Sequence, residues 1–169
     1  MTDLGELKYF LGIHVTRDWK NKTLTINQKN YIRSILKRFD MLDTKPVSTP
    51  IATGSKLLKT TEEDEKVDQK RYQSMVGSQM YAMICTRPDI AYAVQQVSQF
   101  SSNPSNTHLQ AAKRVLRYLV GTSTAGITFS GSSGRSSEVI LGYCDADHGA
   151  GEDRKSISGQ LFTLAGGAM

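Results

Sequence analysis

Apolar residues recur at spacings of three and four along the middle of the chain, from Tyr72 to Gly121. Such spacing is typical of helices that bury one face. Pro88 interrupts the pattern, because its ring fixes φ and it has no N–H group to donate, and Asn103-Pro104 interrupts it a second time. The middle of the chain is therefore predicted to form a compact unit of three helices.

The inner faces of these three helices are predicted to be apolar. They consist of Met75, Val76, Met80, Met83 and Ile84 in the first helix, of Ile90, Ala91, Val94, Val97 and Phe100 in the second, and of Leu109, Ala112, Val115, Leu116 and Leu119 in the third. Ser105 or Asn106 is predicted to cap the third helix, which we expect to end with Gly121 in the C′ position.

Strand-like sequences precede the helical unit. Residues 9–16 and 23–27 are rich in β-branched and aromatic residues and flank a turn composition at residues 18–22, so they predict a β-hairpin. Residues 28–40 then predict an amphipathic helix. Its buried face would consist of Tyr31, Ile32, Ile35, Leu36 and Phe39, and its solvated face of Arg33, Lys37 and Arg38.

Residues 43–67 are rich in proline, serine and threonine, and predict an extended connector. They end in a charged run, Glu62-Glu-Asp-Glu-Lys66, that we expect to be mobile.

Strands are predicted again after the helices. Residues 126–130 form a short strand pattern, and residues 131–137 have the composition of a flexible turn. Residues 139–144 predict a strand of the buried type that runs directly into Asp145, and residues 157–164 predict its hairpin partner. We expect Gly166-Gly167 to be a flexible terminus.

The composition narrows the class of protein. With 169 residues, of which 38% are apolar, the chain can bury a core. Its net charge of +5 is compatible with a polyanionic partner but is equally common in other domains. Two cysteines are too few for a disulfide framework and indicate a reducing compartment. No signal sequence or membrane span is predicted. The start of the chain resembles the interior of a domain and its end follows directly on a strand, so we expect both ends to be cut.

A strand that ends in carboxylates is the first candidate site. Asp145 and Asp147 would share one face of the strand, and carboxylates held by a sheet can bind a divalent cation. Alternatively, both belong to a turn that caps its own backbone. His148, Glu152 and Asp153 follow in a loop, where they are weaker ligand candidates.

The third predicted helix is the second candidate site. Lys113, Arg114 and Arg117 lie on its outer face, and no acidic residue occurs from Ser105 to Gly121. This pattern suits contacts with phosphate groups, which do not depend on base sequence. The alternative is an ordinary solvated helix face.

Five motifs follow one another along nearly the whole chain. They are Asp3-Leu-Gly-Glu-Leu-Lys-Tyr-Phe-Leu-Gly-Ile13, Lys45-Pro-Val-Ser-Thr-Pro50, Thr86-Arg-Pro-Asp-Ile-Ala-Tyr-Ala-Val94, Ala112-Lys-Arg-Val-Leu-Arg-Tyr-Leu119, and Gly142-Tyr-Cys-Asp-Ala-Asp147 with Arg154-Lys-Ser-Ile-Ser-Gly159. In this order they resemble the Pol polyproteins of copia-type LTR retrotransposons.

The resemblance implies a segment that runs from the end of the reverse transcriptase palm, through a thumb-like region, into ribonuclease H. The implied divisions are a palm-end hairpin and helix at 1–42, a linker at 43–70, a thumb-like helical region at 71–123 and a partial ribonuclease H-like domain at 124–169. The expected fold class is α+β, with an N-terminal β-hairpin, a helical thumb-like body, and a C-terminal β-hairpin that begins a truncated ribonuclease H-like sheet.

The resemblance also implies roles for particular residues. Phe10-Leu11-Gly12 matches the primer grip, which positions the 3′ end of the growing strand, and the cations of the third helix would contact an RNA–DNA hybrid or duplex. Asp145 matches the first carboxylate of the ribonuclease H metal site. That site uses Mg²⁺ in the full-length family, whereas we expect this chain to bind none stably.

The chain also departs from the family pattern. It has no Tyr-x-Asp-Asp, so the polymerase aspartates are expected upstream of Met1 and further ribonuclease H carboxylates beyond Met169. His148-Gly-Ala-Gly151 stands where the family has Trp-Ala-Gly-Asp. We therefore expect that this chain alone neither polymerises nor cleaves nucleic acid. The implied partner is the rest of the Pol polyprotein, with no membrane, in the cytoplasm (in a virus-like particle) or the nucleus. The alternative is a non-enzymatic module that binds nucleic acid or protein.

Overall fold

The computed structural model describes residues 5–131, 139–147, 149 and 156–169, which form the predicted mixed α+β fold. The described elements are β1 (Tyr9–Phe10), β2 (Ile13–Asp18), β3 (Thr23–Asn27), α1 (Lys29–Arg38), α2 (Gln69–Cys85), a 3-10 turn (Pro88–Ile90), α3 (Ala91–Ser98), α4 (Asn106–Gly121), β4 (Gly126–Ser130), β5 (Leu141–Ala146), β6 (Ser158–Leu164) and β7 (Gly167–Ala168). The chain divides into a sheet unit, drawn from residues 1–8, 15–26 and 127–169, and a helical unit of residues 9–14 and 27–126.

The helical unit contains the hydrophobic core. All buried apolar side chains of the described residues lie between positions 32 and 119. Within α1 they are Ile32, Ile35 and Leu36, and within α4 they are Ala112, Val115, Leu116 and Leu119. Phe39, the C-cap of α1, is buried as well, and Tyr31 and Leu109 pack against this core. The faces predicted for α1 and α4 are therefore confirmed.

In α2 the prediction of the buried face is partly wrong. Met80 and Ile84 are exposed, Ile84 to 73%, whereas Gln79 and Ala82 are buried. The Nε2 group of Gln79 donates a hydrogen bond to the carbonyl oxygen of Ala112 at 2.8 Å. A polar residue thus occupies a core position, and apolar spacing alone does not detect it.

Two further predictions about the helices are wrong. Ala93, and not Ala91, faces the core in α3. Gly121 is the last residue of α4 and Thr122 is its C-cap, so Gly121 is not in the C′ position. A β-carbon on Gly121 would lie 3.1 Å from Cβ of Pro46, so the glycine lets the connector pass close to α4.

The predicted connector, residues 43–67, contains neither helix nor strand. Its acidic run, for which the sequence predicts mobility, is hydrogen-bonded to the start of α4. Asn106 donates its backbone N–H to the carbonyl oxygen of Glu65 at 3.0 Å, and its side-chain amide to the Glu65 carboxylate at 2.9 Å. The Thr60 hydroxyl donates to the carbonyl oxygen of Asn103 at 2.6 Å.

The first sheet has the strand order β1-β2-β3-β4. The predicted single strand at residues 9–16 is instead two strands, β1 and β2, which pair around Leu11 and Gly12. These two residues have φ values of 48° and 79°. Two consecutive positive φ values are typical of the tight type I′ turn, which the sequence analysis does not predict.

The second sheet has the order β5-β6-β7, with Asp145 opposite Gly159. The prediction that the strand before Asp145 is buried is wrong, because β5 is exposed along its whole length. Gly167 lies in β7 and is not a flexible terminus. A β-carbon on Gly167 would lie 2.5 Å from the ring of Phe129, so only glycine fits against that ring without movement.

Some features of the sequence analysis lie outside the described residues. They are Asp3 and Leu4 of the first motif, residues 132–137 of the predicted turn, the loop candidates His148, Glu152 and Asp153, and Arg154-Lys155 of the last motif.

Candidate nucleic-acid interface

Lys113, Arg114 and Arg117 lie on a partly exposed face of α4. Two of them fasten the connector: Arg117 Nε donates to the carbonyl oxygen of Lys45 at 2.8 Å, and Arg114 Nη2 donates to the Thr49 hydroxyl at 3.0 Å. A guanidinium group has five N–H donors, so each arginine keeps further donors for a ligand. The cations therefore combine a structural role with a capacity to bind anions.

These three cations have no acidic partner among the described residues. The ion pairs formed there join Arg71 to Asp40 and Arg87 to Asp89, and neither involves a cation of α4. A helix face whose charge is not neutralised by carboxylates attracts a polyanion. The sequence prediction of a basic face on α4 agrees with this geometry, although it does not detect the hydrogen bonds to the connector.

The predicted primer-grip residues Phe10, Leu11 and Gly12 form the tip of the β1–β2 hairpin. Phe10 is 58% and Leu11 69% exposed. The Tyr81 hydroxyl of α2 donates a hydrogen bond to the carbonyl oxygen of Leu11, which fixes the tip on the helical unit. In the described residues no hydrogen bond joins the tip to α4, so the two predicted contact regions are separate features of one unit.

Asp145 and Asp147 bind backbone amides of their own segment. The carboxylate of Asp145 accepts from the Ala146 N–H at 2.8 Å, and that of Asp147 accepts from the Ile157 N–H at 2.8 Å. Among the described residues no group of three or more His, Cys, Asp or Glu side chains could hold a metal ion. Because Mg²⁺ requires several well-placed oxygen ligands, these two aspartates alone do not fit a magnesium site.

The most highly connected polar group of the helical unit lies in the Thr86-Arg-Pro-Asp89 motif. Arg87 is 1% exposed. It binds both carboxylate oxygens of Asp89, at 2.9 and 2.7 Å, and donates to the carbonyl and hydroxyl oxygens of Thr122, at 2.8 and 2.6 Å. The Tyr118 hydroxyl donates to Asp89 at 2.9 Å. This network, which we call the Arg87 clamp, joins the start of α3 to the end of α4.

The electrostatics of the Arg87 clamp favour the ionised carboxylate. Burial by itself would raise the pKa of Asp89, but the hydrogen bonds and charge of Arg87 outweigh it and hold that pKa below its ordinary value. Burial and the Asp89 hydrogen bond raise the pKa of Tyr118. In the sequence this motif indicates only the family resemblance, and its structural role is not predicted. The sequence pattern from which this role could have been predicted is an arginine and an aspartate on either side of a helix-initiating proline.

Thr86, the first residue of the same motif, reaches a second helix. Its hydroxyl donates to Oε1 of Gln28 at 2.8 Å, and both residues are buried. Gln28 is the N-cap residue of α1. The motif therefore connects α1 and α3 with α4, the helix that carries the cations.

His108 forms a second buried polar group, at the start of α4. Its Nδ1 accepts the backbone N–H of Ser105 at 3.0 Å, so its Nε2 carries the proton donated to the carbonyl oxygen of Leu58 at 2.9 Å. The ring stacks on Phe100 with centroids 3.9 Å apart. Both ring nitrogens are thus satisfied in the neutral form, and burial lowers the pKa of His108.

The stability of the helical unit should therefore depend on pH through His108. Because the folded-state pKa lies below the unfolded value, the unfolded chain binds more protons, and stability falls as the pH falls below about 6.5. The slope for one proton is at most about 1.4 kcal/mol per pH unit. Urea unfolding at pH 7.5 and pH 5.5 should show a smaller loss in His108→Gln than in the unsubstituted chain. An equal loss in both proteins would contradict this role.

None of the described helices is long and apolar enough to span a membrane. No protein-family model matches the chain, and no solved structure matches it.

Related sequences do occur among curated proteins. The chain is 45% identical, over its whole length, to the retrovirus-related Pol polyprotein from transposon TNT 1-94 of Nicotiana tabacum, and spans 13% of that protein. It is 34% identical over 99% of its length to the putative transposon Ty5-1 protein of Saccharomyces cerevisiae, of which it spans 53%.

A third curated protein matches a shorter part of the chain. Over 99 residues, 58% of the chain, it is 50% identical to secreted RxLR effector protein 161 of Plasmopara viticola, and this match covers 68% of that protein. The two transposon proteins show that homologues of this chain are retrovirus-related Pol polyproteins from transposons, which supports the copia-type resemblance of its ordered motifs.

Proposed function

We propose that this chain is the segment of a Pol polyprotein that follows the reverse transcriptase palm and leads into ribonuclease H. In this proposal its helical unit holds the template–primer duplex, an RNA–DNA hybrid, through the cations of α4. The proposal rests on the order of the family motifs and, chiefly, on one structural observation. Lys113, Arg114 and Arg117 form a partly exposed basic face without an acidic partner in the described part of the chain.

Phosphate contacts explain why these residue types occur together on one helix. Each lysine or arginine that neutralises a phosphate releases a condensed counterion, which favours binding regardless of base sequence. The hydrogen bonds of Arg114 and Arg117 to the connector restrict the two side chains before a ligand binds, which lowers the entropy cost of binding. Such a face would hold a duplex that must slide as synthesis proceeds.

The tip of the β1–β2 hairpin is proposed to support the 3′ end of the primer. Its exposed Phe10 and Leu11 side chains would contact the sugar and base of the terminal nucleotide, and Tyr81 would hold the turn in place. Since the tip carries no charge at residues 10–12, it contributes position and little of the electrostatic affinity.

The α4 contact is tested by binding of a short RNA–DNA hybrid. Replacing Lys113, Arg114 and Arg117 together with glutamine should weaken binding and reduce the slope of log K against log salt by about 0.9 for each phosphate that is no longer neutralised. Arg33, Lys37 and Arg38 of α1, changed to glutamine, provide a matched control with the same reduction of charge. Fluorescence anisotropy of a labelled hybrid at several salt concentrations measures both quantities.

Equal binding by two of these variants would contradict the proposed contact. If the α4 and α1 variants bind equally well, the basic face of α4 is only a solvated surface. A charge-retaining variant, Arg114→Lys with Arg117→Lys, separates phosphate contact from structural support, because it should keep most of the affinity.

We also propose that the chain alone is catalytically inactive. Hydrolysis of the hybrid in the presence of Mg²⁺, abolished in Asp145→Asn, would show otherwise.

A second candidate function is a non-enzymatic binding module. It is favoured by the shorter relative that is named a secreted effector, because the matched region makes up 68% of that protein. A folded chain that shows no affinity for hybrid or duplex nucleic acid would favour this candidate over the first.

A further inference from the structure

Trp19 is the one tryptophan of the chain, and it lies exposed in the turn between β2 and β3. It is 67% exposed. Its indole N–H donates to the Glu6 carboxylate at 2.5 Å, and the guanidinium of Arg17 lies 4.8 Å from the ring centroid. A large aromatic ring held by two neighbours while still open to solvent is arranged to receive a ligand.

The turn that carries Trp19 is itself well ordered by hydrogen bonds. The Asp18 carboxylate accepts from the backbone N–H groups of Lys20 and Asn21, at 2.9 and 3.0 Å, and from the Asn21 side chain at 2.7 Å. These bonds, above all the one from the Asn21 backbone, lower the pKa of Asp18. Its charge is therefore engaged within the turn, and Arg17, Lys20 and Lys22 outnumber it there.

Trp19 forms part of the wall of an open cavity of about 330 Å³ in the sheet unit. Leu24 and Phe129 provide further apolar walls, and Arg17 and Lys22 provide positive charge. The carbonyl oxygen of Lys22 accepts the Gly131 N–H at 2.8 Å, which fixes the lysine backbone beside the cavity. The volume lies within the range of small-ligand pockets, roughly 300–1,000 Å³.

We propose that this cavity binds an unpaired nucleobase of single-stranded nucleic acid, stacked on Trp19, with the neighbouring phosphates on Lys20 and Lys22. Stacking on an aromatic ring accepts any base, because every base has a π-face, and cations beside the ring hold the backbone. The choice of nucleic acid as the polyanion rests on the function proposed above. The residues of the Trp19 site are not those of the proposed duplex contact: they lie in the sheet unit, whereas the α4 cations lie in the helical unit.

The single tryptophan makes this site directly measurable. Titration with a twelve-nucleotide oligothymidylate should quench Trp19 fluorescence, whereas an abasic strand of equal length should quench it much less, because only the former can stack. Equal quenching by both strands would overturn the proposal. A parallel titration uses anionic phospholipid vesicles. A blue shift of the Trp19 emission with vesicles, and no quenching by the oligonucleotide, would assign the site to a lipid surface and would also overturn the proposal.

Variants then separate stacking from charge. In anisotropy measurements with labelled oligothymidylate, Trp19→Ala should weaken binding by about tenfold or more, and Trp19→Phe by much less. Lys20→Gln with Lys22→Gln should reduce the slope of log K against log salt by about 0.7 for each phosphate that is no longer neutralised. The control, Lys56→Gln with Lys59→Gln, removes the same charge from the exposed connector and should leave that slope unchanged. Unchanged binding in Trp19→Ala would overturn the proposal. Since the α4 variants should leave the quenching intact, failure of the duplex contact and failure of this site can be told apart.

Discussion

Replacing Arg87 with alanine is expected to lower the free energy of unfolding of the helical unit by about 2–3 kcal/mol, the usual cost of removing hydrogen bonds to a charged group. The cost stays below that of breaking a fully buried ion pair, because the Asp89 side chain is 41% exposed. The guanidinium is 1% exposed and binds Asp89 and Thr122. Its removal takes two hydrogen bonds from the Asp89 carboxylate, which keeps the one from the Tyr118 hydroxyl, and one from the Thr122 carbonyl, which keeps the one from the Ala125 N–H. It also leaves a cavity between α3 and α4, which adds to the cost. Urea unfolding followed by circular dichroism measures the change.

Arg71→Ala is the matched control for this substitution. Arg71 pairs with Asp40 at 3.7 Å, and the two side chains are 57% and 87% exposed. An ion pair between exposed side chains contributes at most about 1 kcal/mol. Arg87→Lys should fall between the two, because lysine keeps the charge but cannot bind both carboxylate oxygens in the same plane. Similar decreases for Arg87→Ala and Arg71→Ala would show that the Arg87 clamp does not stabilise the fold.

The helices that sequence periodicity predicts best are those whose core positions are apolar. In α1 and α4 the buried residues follow the expected spacing, and both predicted faces are correct. In α2 the core contains Gln79, which is stabilised by the Ala112 carbonyl oxygen of another helix. Periodicity cannot anticipate such a bond, because the acceptor lies 33 positions away. For this reason periodicity places Met80 and Ile84 on the wrong side of the helix.

The candidate site shows the same division between local and distant information. The charge of α4 can be read directly from the sequence, because its cations lie on one helix and no acid interrupts them. The bonds from Arg114 to Thr49 and from Arg117 to Lys45 join positions 65 and 72 residues apart, which no local pattern encodes. The role of Arg87 is likewise decided by Thr122, 35 positions further along the chain.

The strand before Asp145 illustrates a different reason for error. Its sequence is apolar on both faces, as in a strand that is covered on both sides, which is why it predicts a buried strand. In the structure Leu141 and Tyr143 lie on one face, opposite Thr163 and Leu161, and all of β5 is exposed. The apolar composition of this strand predicts that both of its faces are covered, but the described residues leave β5 exposed.

The helical unit has a buried core whereas the strands β5 and β6 are largely exposed, and this contrast predicts a large difference in the rates of amide hydrogen exchange. The amides of α2 and α4 lie in the unit that holds all buried apolar side chains of the described residues, so they should exchange only through opening of that core. The amides of β5 and β6 are paired in a regular ladder, but their side chains bury little apolar surface. We therefore expect exchange in β5 and β6 to be roughly a hundredfold faster or more, which corresponds to a difference of about 3 kcal/mol in opening free energy.

Hydrogen–deuterium exchange of the intact chain, followed by mass spectrometry of peptides from α2, α4, β5 and β6, tests this expectation. All four elements have hydrogen-bonded backbones, so a difference between them reports burial and not the mere presence of a hydrogen bond. Equal protection would mean that β5 and β6 are stabilised as firmly as the helices by interactions beyond the described residues. Faster exchange in the strands that slows when a longer Pol segment is studied would instead identify the added sequence as the cover that these apolar faces require.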